Sequence, residues 1–177
     1  MKIYLVRHGE KESEGENPNL TKKGIKQATA LAKRLKKFEI DEFYCSDLNR
    51  AKQTAEIVSK KIKIKPKIET SLNEFESSDI KKDLSKWGNE ERIRYKNLIS
   101  FLNKIAKKPE QEGNILIVCH GITNRIILSH LLKIPMKRVI VFFQHETCID
   151  ELNWSKTFKN WRLETWNDFS HLPKNLR

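Results

Sequence analysis

Several features are scarce in this chain of 177 residues, and each scarcity excludes a class of protein. Its three cysteines, Cys45, Cys119 and Cys148, are an odd number, lie far apart and form no CxxC pair. This pattern is typical of free thiols in a reducing compartment rather than of a disulfide scaffold. No apolar run approaches the roughly 20 residues that a membrane span requires, and the N-terminal segment lacks the features of a signal peptide. We therefore expect a cytoplasmic protein with no membrane partner.

Positive charge is the property that the chain has in excess. It contains 35 Lys and Arg residues against 23 Asp and Glu residues, which gives a net charge of +12. Such a balance favours anionic partners, namely nucleic acid, phosphorylated metabolites or an anionic membrane. The lysines are spread along the chain, with no aromatic nucleic-acid-binding motif, zinc finger or basic tail. We therefore predict a phosphorylated small-molecule or phosphoprotein substrate, and we do not predict nucleic-acid binding.

The hydrophobic pattern alternates between strands and amphipathic helices. Such alternation predicts an α/β fold, a three-layer α/β/α sandwich with a largely parallel central sheet. No repeat or linker divides the chain, so we expect one domain over 1–177 with a short cap segment at about 73–112. Strands are predicted at 2–6, 42–46, 65–71, 114–119 and 160–168, with two strand-like runs between 137 and 154, and helices at about 20–38, 46–62, 89–108 and 122–132.

The first two helices carry more detailed predictions. Thr21 is the expected N-cap of the first helix, and Ser46 or Asp47 is the expected cap of the second. The apolar stripe predicted for the first helix comprises Ile25, Ala28, Ala32 and Leu35.

Polar residues follow three of the predicted strands. Arg7 and His8 come after the first strand, Arg50 follows shortly after the second, and His120 ends the fourth. In open α/β sheets ligands bind beyond the carboxyl ends of the strands, where helix N-termini also favour anions. The sequence therefore predicts one site with two imidazoles and two guanidiniums, which are suited to binding a phosphoryl group.

These side chains permit phosphoryl transfer without a metal or another cofactor. A neutral imidazole can attack phosphorus and form a covalent intermediate. Surrounding cations stabilise the charge on the transferred group, and a carboxylic acid can protonate the leaving oxygen. Glu74, which follows the weak third strand, is the best-placed acid, and Glu76 is the alternative. The spacing of histidines and cysteines matches no zinc motif.

Five segments resemble, in order, the motifs of the histidine phosphatase superfamily, the phosphoglycerate mutase-like family. VRHGE (6–10) is similar to its RHG signature, and LTKKGIKQA (20–28) to its L-T-x-x-G-x-x-Q-A block. CSDLNRAKQTAE (45–56) is similar to S-x-x-x-R-A-x-Q-T-A, LNE (72–74) to L-x-E, and VCHG (118–121) to V-x-H-G. RHG alone is weak evidence, but the ordered set is highly specific.

The resemblance implies a role for each matched residue. His8 is the implied phosphorylated nucleophile, and Arg7 and Arg50 hold the phosphoryl oxygens together with His120, the second imidazole. Glu74 is the implied proton donor. The short segment between Glu74 and His120 resembles that of small family members, including compact phosphohistidine phosphatases. The expected activity is therefore metal-independent hydrolysis of phosphomonoesters or phosphohistidine through a phosphohistidine on His8.

Three alternatives remain at this stage. One is phosphoryl transfer of the phosphoglycerate mutase type, in which a substrate rather than water receives the phosphoryl group. Another is a cysteine-dependent phosphatase, because Cys119 and Arg125 form a C-x5-R pattern. The third is a non-catalytic module that binds phosphate or nucleic acid. His130, His145 and His171 lie outside the matched segments, and structural roles are expected for them.

Overall fold

The computed structural model describes residues 1–82 and 84–177. Four of its six strands run parallel, in the order β3-β2-β4-β1, and β5 and β6 continue the sheet in antiparallel fashion beyond β1. The predicted α/β fold with a largely parallel sheet is therefore confirmed. The strands are β1 (Lys2–Arg7), β2 (Glu42–Cys45), β3 (Lys67–Ile68), β4 (Asn114–Cys119), β5 (Ile149–Ser155) and β6 (Asn160–Asp168).

Helices cover both faces of the sheet. Side chains alternate between the faces along a strand, so Tyr4 and Val6 of β1 belong to one core cluster and Ile3 and Leu5 to the other. The first cluster contains residues of α1 and α2, and the second contains residues of α3 and α4. This arrangement gives the three predicted layers. The helices are α1 (Lys22–Leu35), α2 (Asn49–Ile62), α3 (Asn89–Ile105) and α4 (Gly121–Leu132).

The predicted start of α1 is confirmed, and one residue of its stripe is wrong. Thr21 is the N-cap, and its Oγ1 accepts a hydrogen bond from the backbone N–H of Gly24 at 2.9 Å. Ile25 is 48% exposed, whereas Leu31 is fully buried in its place. The buried face of α1 is thus rotated by part of a turn from the one that the apolar pattern predicted.

The predicted cap of α2 is wrong. Leu48 is the N-cap residue, and its own side chain forms no capping hydrogen bond. The backbone N–H of Asn49, the first residue of the helix, donates instead to Asn17 Oδ1 at 2.9 Å. The Ser46 hydroxyl does accept the backbone N–H of Leu48, at 3.2 Å, but it lies before the helix and turns toward His120. The residue that local sequence rules assigned to a helix end therefore belongs to a longer-range contact.

The first strand-like run after residue 137 is also wrong, because Met136–Val141 forms a 3₁₀ helix. Its buried residues are Met136 and Val139, a spacing that matches the three residues per turn of a 3₁₀ helix. Ile140 and Val141 remain exposed, although β-branched residues like these favour strands. Among the described residues, no helix is long and apolar enough to cross a membrane.

Candidate active site

The carboxyl ends of β1, β2 and β4 bring His8, Arg50 and His120 together. His8 directly follows β1, Arg50 lies in the first turn of α2, and His120 directly precedes α4. The two imidazole rings lie 5.1 Å apart between centroids, and Arg50 Nε donates a hydrogen bond to His8 Nε2 at 3.2 Å. All three side chains are buried. The predicted convergence of residues from distant parts of the chain is therefore what the structure shows.

Two hydrogen bonds define the tautomer of His8. Its Nδ1 lies 2.7 Å from the carbonyl oxygen of Gly9, which only accepts hydrogen bonds, so Nδ1 carries the proton. Its Nε2 accepts from Arg50 and therefore carries the lone pair. Burial, aided by the charges of Arg7 and Arg50, lowers the pKa of His8 to about 3. His8 is thus a neutral imidazole whose unprotonated nitrogen lies beside a guanidinium.

His120 has the opposite tautomer, which Asn73 and Ser46 determine. Asn73 Oδ1 accepts the backbone N–H of Asp47 and the Ser46 hydroxyl, at 3.0 and 2.7 Å. The only proton of Ser46 Oγ is used in that bond, so Oγ accepts from His120 Nε2 at 2.7 Å. Burial, with further contributions from nearby positive groups, lowers the pKa of His120 well below its usual value. Its Nδ1 is left facing the site.

Glu74 lies at the N-terminus of α4. Its Oε1 accepts the backbone N–H groups of Ile122 and Thr123 at 3.1 and 3.4 Å, a favourable position for a carboxylate. Its Oε2 lies 3.5 Å from His120 Nδ1, an atom that forms no hydrogen bond with any residue in the described part of the chain. Burial raises the pKa of Glu74 to about 7, although Arg50 and the two N–H groups oppose the rise. Glu74 can therefore hold or release a proton near neutral pH.

Arg7, the last residue of β1, lies at the edge of the same site. Its Nη1 donates to the backbone carbonyl of Gln144 at 2.6 Å, and its Nη2 forms an ion pair with Glu146 at 2.9 Å. Arg125, one turn into α4, is close enough that the charges of Arg7 and Glu74 affect its pKa, which burial lowers. The guanidiniums of Arg7, Arg50 and Arg125 therefore make the region strongly positive. Arg125 was considered from the sequence only as part of the C-x5-R pattern.

The positive charge also bears on metal binding. A ring nitrogen of each of His8 and His120 and an oxygen of Glu74 lie within 4.8 Å of one another, which is a spacing that metal ligands adopt. Arg50, however, donates a hydrogen bond to the same His8 nitrogen that a metal would need. A cation in this position would be repelled by Arg50 and Arg7 at short range. The donor set suits an anion better than a metal ion.

The other residues considered from the sequence occupy different surroundings. Glu76 is exposed to solvent. Cys119 is fully buried, and its Sγ donates to Asn124 Oδ1 at 2.7 Å. Burial raises the pKa of Cys119 well above its usual value, which opposes formation of a thiolate. Each of the remaining histidines contacts one polar residue. His130 contacts Asn103, His145 contacts Asn167, and His171 contacts Thr147.

Three residues near the site were missed as parts of it by the sequence analysis. Ser46 was interpreted only as a helix cap, and Asn73 and Gln144 were given no role. Their contacts join residues that are 27, 74 and 137 positions apart in the chain. No periodicity or short motif reports such distant partners. Two signals were available: Ser46 matches the first position of the S-x-x-x-R-A-x-Q-T-A block, and Asn73 directly precedes Glu74.

The chain belongs to the histidine phosphatase superfamily (branch 1), whose family model matches residues 3–98 and 80–169. This membership confirms the family that the ordered motifs indicated. A probable phosphoglycerate mutase GpmB from Proteus mirabilis is 27% identical over 206 residues, covering 97% of this chain and 95% of the relative. A protein of the same name from Escherichia coli is 24% identical over 204 residues, with the same two coverages.

Solved structures share the fold over nearly the whole chain. A mycobacterial glucosyl-3-phosphoglycerate phosphatase in complex with inorganic phosphate aligns with a TM-score of 0.76 at 21% identity, covering 97% of this chain and 99% of that one. The α-ribazole phosphatase of Shigella flexneri gives 0.76 at 23% identity, with 96% and 97% covered. The phosphoserine phosphatase of Entamoeba histolytica gives 0.77 at 21% identity, with 97% and 99% covered.

Proposed function

We propose that the protein is a metal-independent phosphatase that hydrolyses phosphomonoesters through a phosphohistidine on His8. The observation that carries the proposal is the unprotonated Nε2 of the buried His8. This atom lies beside Arg50, in a cluster where His8, Glu74 and His120 bring donor atoms within 4.8 Å. A nucleophile, an anion-binding group and an acid thus occupy one small volume, as phosphoryl transfer requires.

In the first step His8 Nε2 attacks phosphorus, and the bond between phosphorus and the leaving oxygen breaks. Arg7 and Arg50 balance the charge of the phosphoryl oxygens. His120 donates to one of these oxygens from the other side once its Nδ1, which carries no proton in the tautomer described above, has taken up the proton of a phosphomonoester monoanion. Protonated Glu74 donates its proton to the leaving oxygen. A pKa of about 7 makes this proton available near neutral pH. The products of the step are an alcohol and phosphohistidine.

In the second step water attacks the phosphohistidine. The Glu74 carboxylate, now deprotonated, takes a proton from the water as the new oxygen–phosphorus bond forms. The nitrogen–phosphorus bond breaks, and its electron pair returns to His8 Nε2. The hydrogen bond from His8 Nδ1 to Gly9 keeps the imidazole oriented through both steps. Release of phosphate completes the cycle, because Glu74 has already regained its proton from the water.

The proposed substrates are phosphorylated small molecules. The solved structures of similar fold carry the names of phosphatases for glucosyl-3-phosphoglycerate, α-ribazole phosphate and phosphoserine. Their names support small phosphomonoesters over phosphoproteins for this chain, and the net charge of +12 is consistent with any anionic substrate. A cytoplasmic location, which the free thiols favour, is part of the same proposal.

A second candidate is phosphoryl transfer of the mutase type, favoured by the name of the Proteus mirabilis relative. Both activities begin with transfer to His8, and they differ in what removes the phosphoryl group. Incubation with a phosphomonoester in ¹⁸O-labelled water separates them. A phosphatase releases inorganic phosphate containing one ¹⁸O atom, whereas a mutase forms an isomeric phosphate ester without ¹⁸O.

The nucleophile is tested by mutation and by trapping the intermediate. His8→Ala should lower the rate of p-nitrophenyl phosphate hydrolysis by at least about 10³-fold, since removing a covalent nucleophile removes its pathway. Brief reaction with a ³²P-labelled substrate should give a phosphoprotein that is stable in alkali and labile in acid.

His130→Ala is the matched control, because it removes a half-exposed imidazole outside the site, and it should leave the rate within about threefold. Cys119→Ser should also retain activity. A His8→Ala variant that remains active, together with an inactive Cys119→Ser variant, would overturn the proposal in favour of a cysteine nucleophile.

A further inference from the structure

A fully buried set of polar side chains lies behind Arg7 and has no part in the proposed chemistry. Its members are Asn124, Gln144 and Asp150, each at most 1% exposed. Burying uncharged amides and a carboxyl group is costly unless their hydrogen bonds are satisfied. The set lies beneath the loop that contacts Arg7, and this position indicates why polar groups are buried there.

The loop between Phe142 and β5 supplies both observed partners of the Arg7 guanidinium. The backbone carbonyl of Gln144 accepts from Nη1, and the Glu146 carboxylate pairs with Nη2. The backbone N–H of Thr147 in turn donates to the carbonyl of Arg7 at 3.0 Å. The loop therefore determines the orientation of the Arg7 guanidinium. A shift of the loop would turn the guanidinium away from the phosphoryl group.

The side chain of Gln144 fixes the loop from below. Its Nε2 donates to Asp150 Oδ2, and its Oε1 accepts from Asn124 Nδ2 at 3.3 Å. Asp150 Oδ1 accepts the backbone N–H of Asn167 at 2.7 Å, which leaves Oδ2 for Gln144. Asn124 is held at its other end by the thiol of Cys119. Every group in the chain of hydrogen bonds thus has a defined donor or acceptor role.

The sheet register places Asp150 close to Arg7. Asp150 of β5 lies opposite Leu5 of β1, two residues before Arg7 and on the same face of the sheet. No cation pairs with Asp150 among the described residues, and burial raises its pKa to about 7. The two hydrogen bonds that Asp150 accepts, from Gln144 Nε2 and from the backbone N–H of Asn167, therefore account for the burial of this carboxyl group.

We infer that Gln144 and Asp150 are positioning residues for Arg7: together they fix the loop carbonyl that orients its guanidinium toward the phosphoryl group. This inference rests on the proposed function. Neither residue touches the reacting atoms, and each acts through the Gln144 backbone. Disrupting the pair should therefore weaken phosphate binding more than it slows the chemical steps.

Isosteric substitutions test the pair. Q144E places a carboxylate against Asp150, and D150N places an amide donor against the amide donor of Gln144. Each should raise KM for p-nitrophenyl phosphate and the inhibition constant of inorganic phosphate by about tenfold, the size expected for one weakened charged hydrogen bond. The value of kcat should change by less than about threefold.

The double variant Q144E/D150N reverses the polarity of the pair. The new amide at position 150 can donate to the new carboxylate at position 144 while still accepting from Asn167. KM for p-nitrophenyl phosphate and the inhibition constant of inorganic phosphate should both return to within about threefold of their wild-type values. If Q144E does not fold, D150N and the double variant give the same comparison.

Leu35→Ala serves as the control for destabilisation, because it truncates a fully buried residue of the other core cluster. It should lower the amount of folded enzyme and leave KM unchanged. Single variants whose KM and inhibition constant match those of Leu35→Ala, or a double variant that is no better than the singles, would overturn the inference. Loss of the proposed function is distinguishable, because wild-type protein would then show no hydrolysis that depends on His8.

Discussion

Glu74 shows at the scale of one residue how the burial of a carboxyl group lowers stability. The same burial that raises its pKa to about 7 penalises its charged form in the folded protein. The ordinary pKa of a glutamate carboxyl group is 4.5. Between pH 4.5 and about 7, the folded state therefore binds more protons at Glu74 than the unfolded state does. The contribution of Glu74 to stability therefore falls as pH rises through this window and is lowest above it.

Glu74→Gln should separate the two effects. The new amide oxygen can still accept from Ile122 and Thr123, and the amide nitrogen can donate to His120 Nδ1. At pH 8 the variant should be more stable than wild type by about 1–3 kcal/mol, the lower part of the range allowing for partial solvent exposure of the side chain. At pH 4.5 the difference should be near zero. Denaturation by urea at both pH values measures it.

The same substitution should lower kcat by about 10²-fold or more, because it removes the proposed proton donor. In wild type, the rate of the protonation step should decline as pH rises above about 7, where Glu74 loses its proton. Glu76→Gln is the matched control, an acid-to-amide change at an exposed position two residues away. Loss of activity in Glu76→Gln and not in Glu74→Gln would assign the acid to Glu76.

Sequence reasoning succeeded at residue scale where topology constrains position. His8 and His120 each follow a central parallel strand, so the sheet itself carries them to one edge. It failed for Ser46, whose hydroxyl was assigned to the nearest helix end. Local rules see only neighbouring residues, whereas Ser46 bonds to an imidazole 74 positions away.

At the scale of elements, α1 and the loop after β1 approach each other closely. A Cβ added to Gly24 would lie 2.1 Å from the backbone carbonyl oxygen of Glu10, and one added to Gly9 would lie 2.7 Å from that of Gly24. Both neighbours are backbone atoms that cannot rotate away. The N-terminus of α1 therefore fixes the position of the loop that contains His8 and Gly9.

Gly24→Ala should displace that loop. We expect kcat/KM to fall by about tenfold or more, because the Gly9 carbonyl that orients His8 must move, and stability to fall by about 1–3 kcal/mol from overpacking. Phosphatase assays and thermal unfolding measure the two effects. Thr29→Ala, at an exposed position of the same helix, should change neither. Wild-type kinetics in Gly24→Ala would show that the loop tolerates the shift.

Element prediction depended on whether one local signal dominated. The run at 114–119 is apolar at every position after Asn114, and β4 has the predicted bounds. The run after residue 137 is equally rich in β-branched residues, yet it forms a 3₁₀ helix because Met136 and Val139 pack into the core together. Tertiary packing overrode strand propensity there, and the sequence contains no sign of it.

At the scale of the whole molecule, the alternation of strands and helices was sufficient to predict three layers. The single domain and its short cap at about 73–112 stay predictions. The net charge of +12 is a property of the same scale. It acts on an anionic substrate over distances set by the ionic strength.

Raising the ionic strength should weaken this long-range attraction. The Debye length falls from about 30 Å at 0.01 M salt to about 8 Å at 0.15 M. We expect kcat/KM for a dianionic phosphomonoester to fall several-fold across this range while kcat remains nearly constant. Sucrose of equal osmolarity is the control and should have no such effect. A kcat/KM that does not depend on salt would show that only short-range contacts attract the substrate.

The place of β1 in the sheet has a consequence for the order of folding. β1 is made before every other strand, yet its two neighbours are β4 and β5, with Lys2 opposite Asn114 and Asn153. At about 5–20 residues per second, at least about 5 s of translation separate β1 from its first partner. The apolar segment that leads to His8 stays unpaired through that interval, so a nascent chain cannot acquire the site until β4 and His120 have been synthesised.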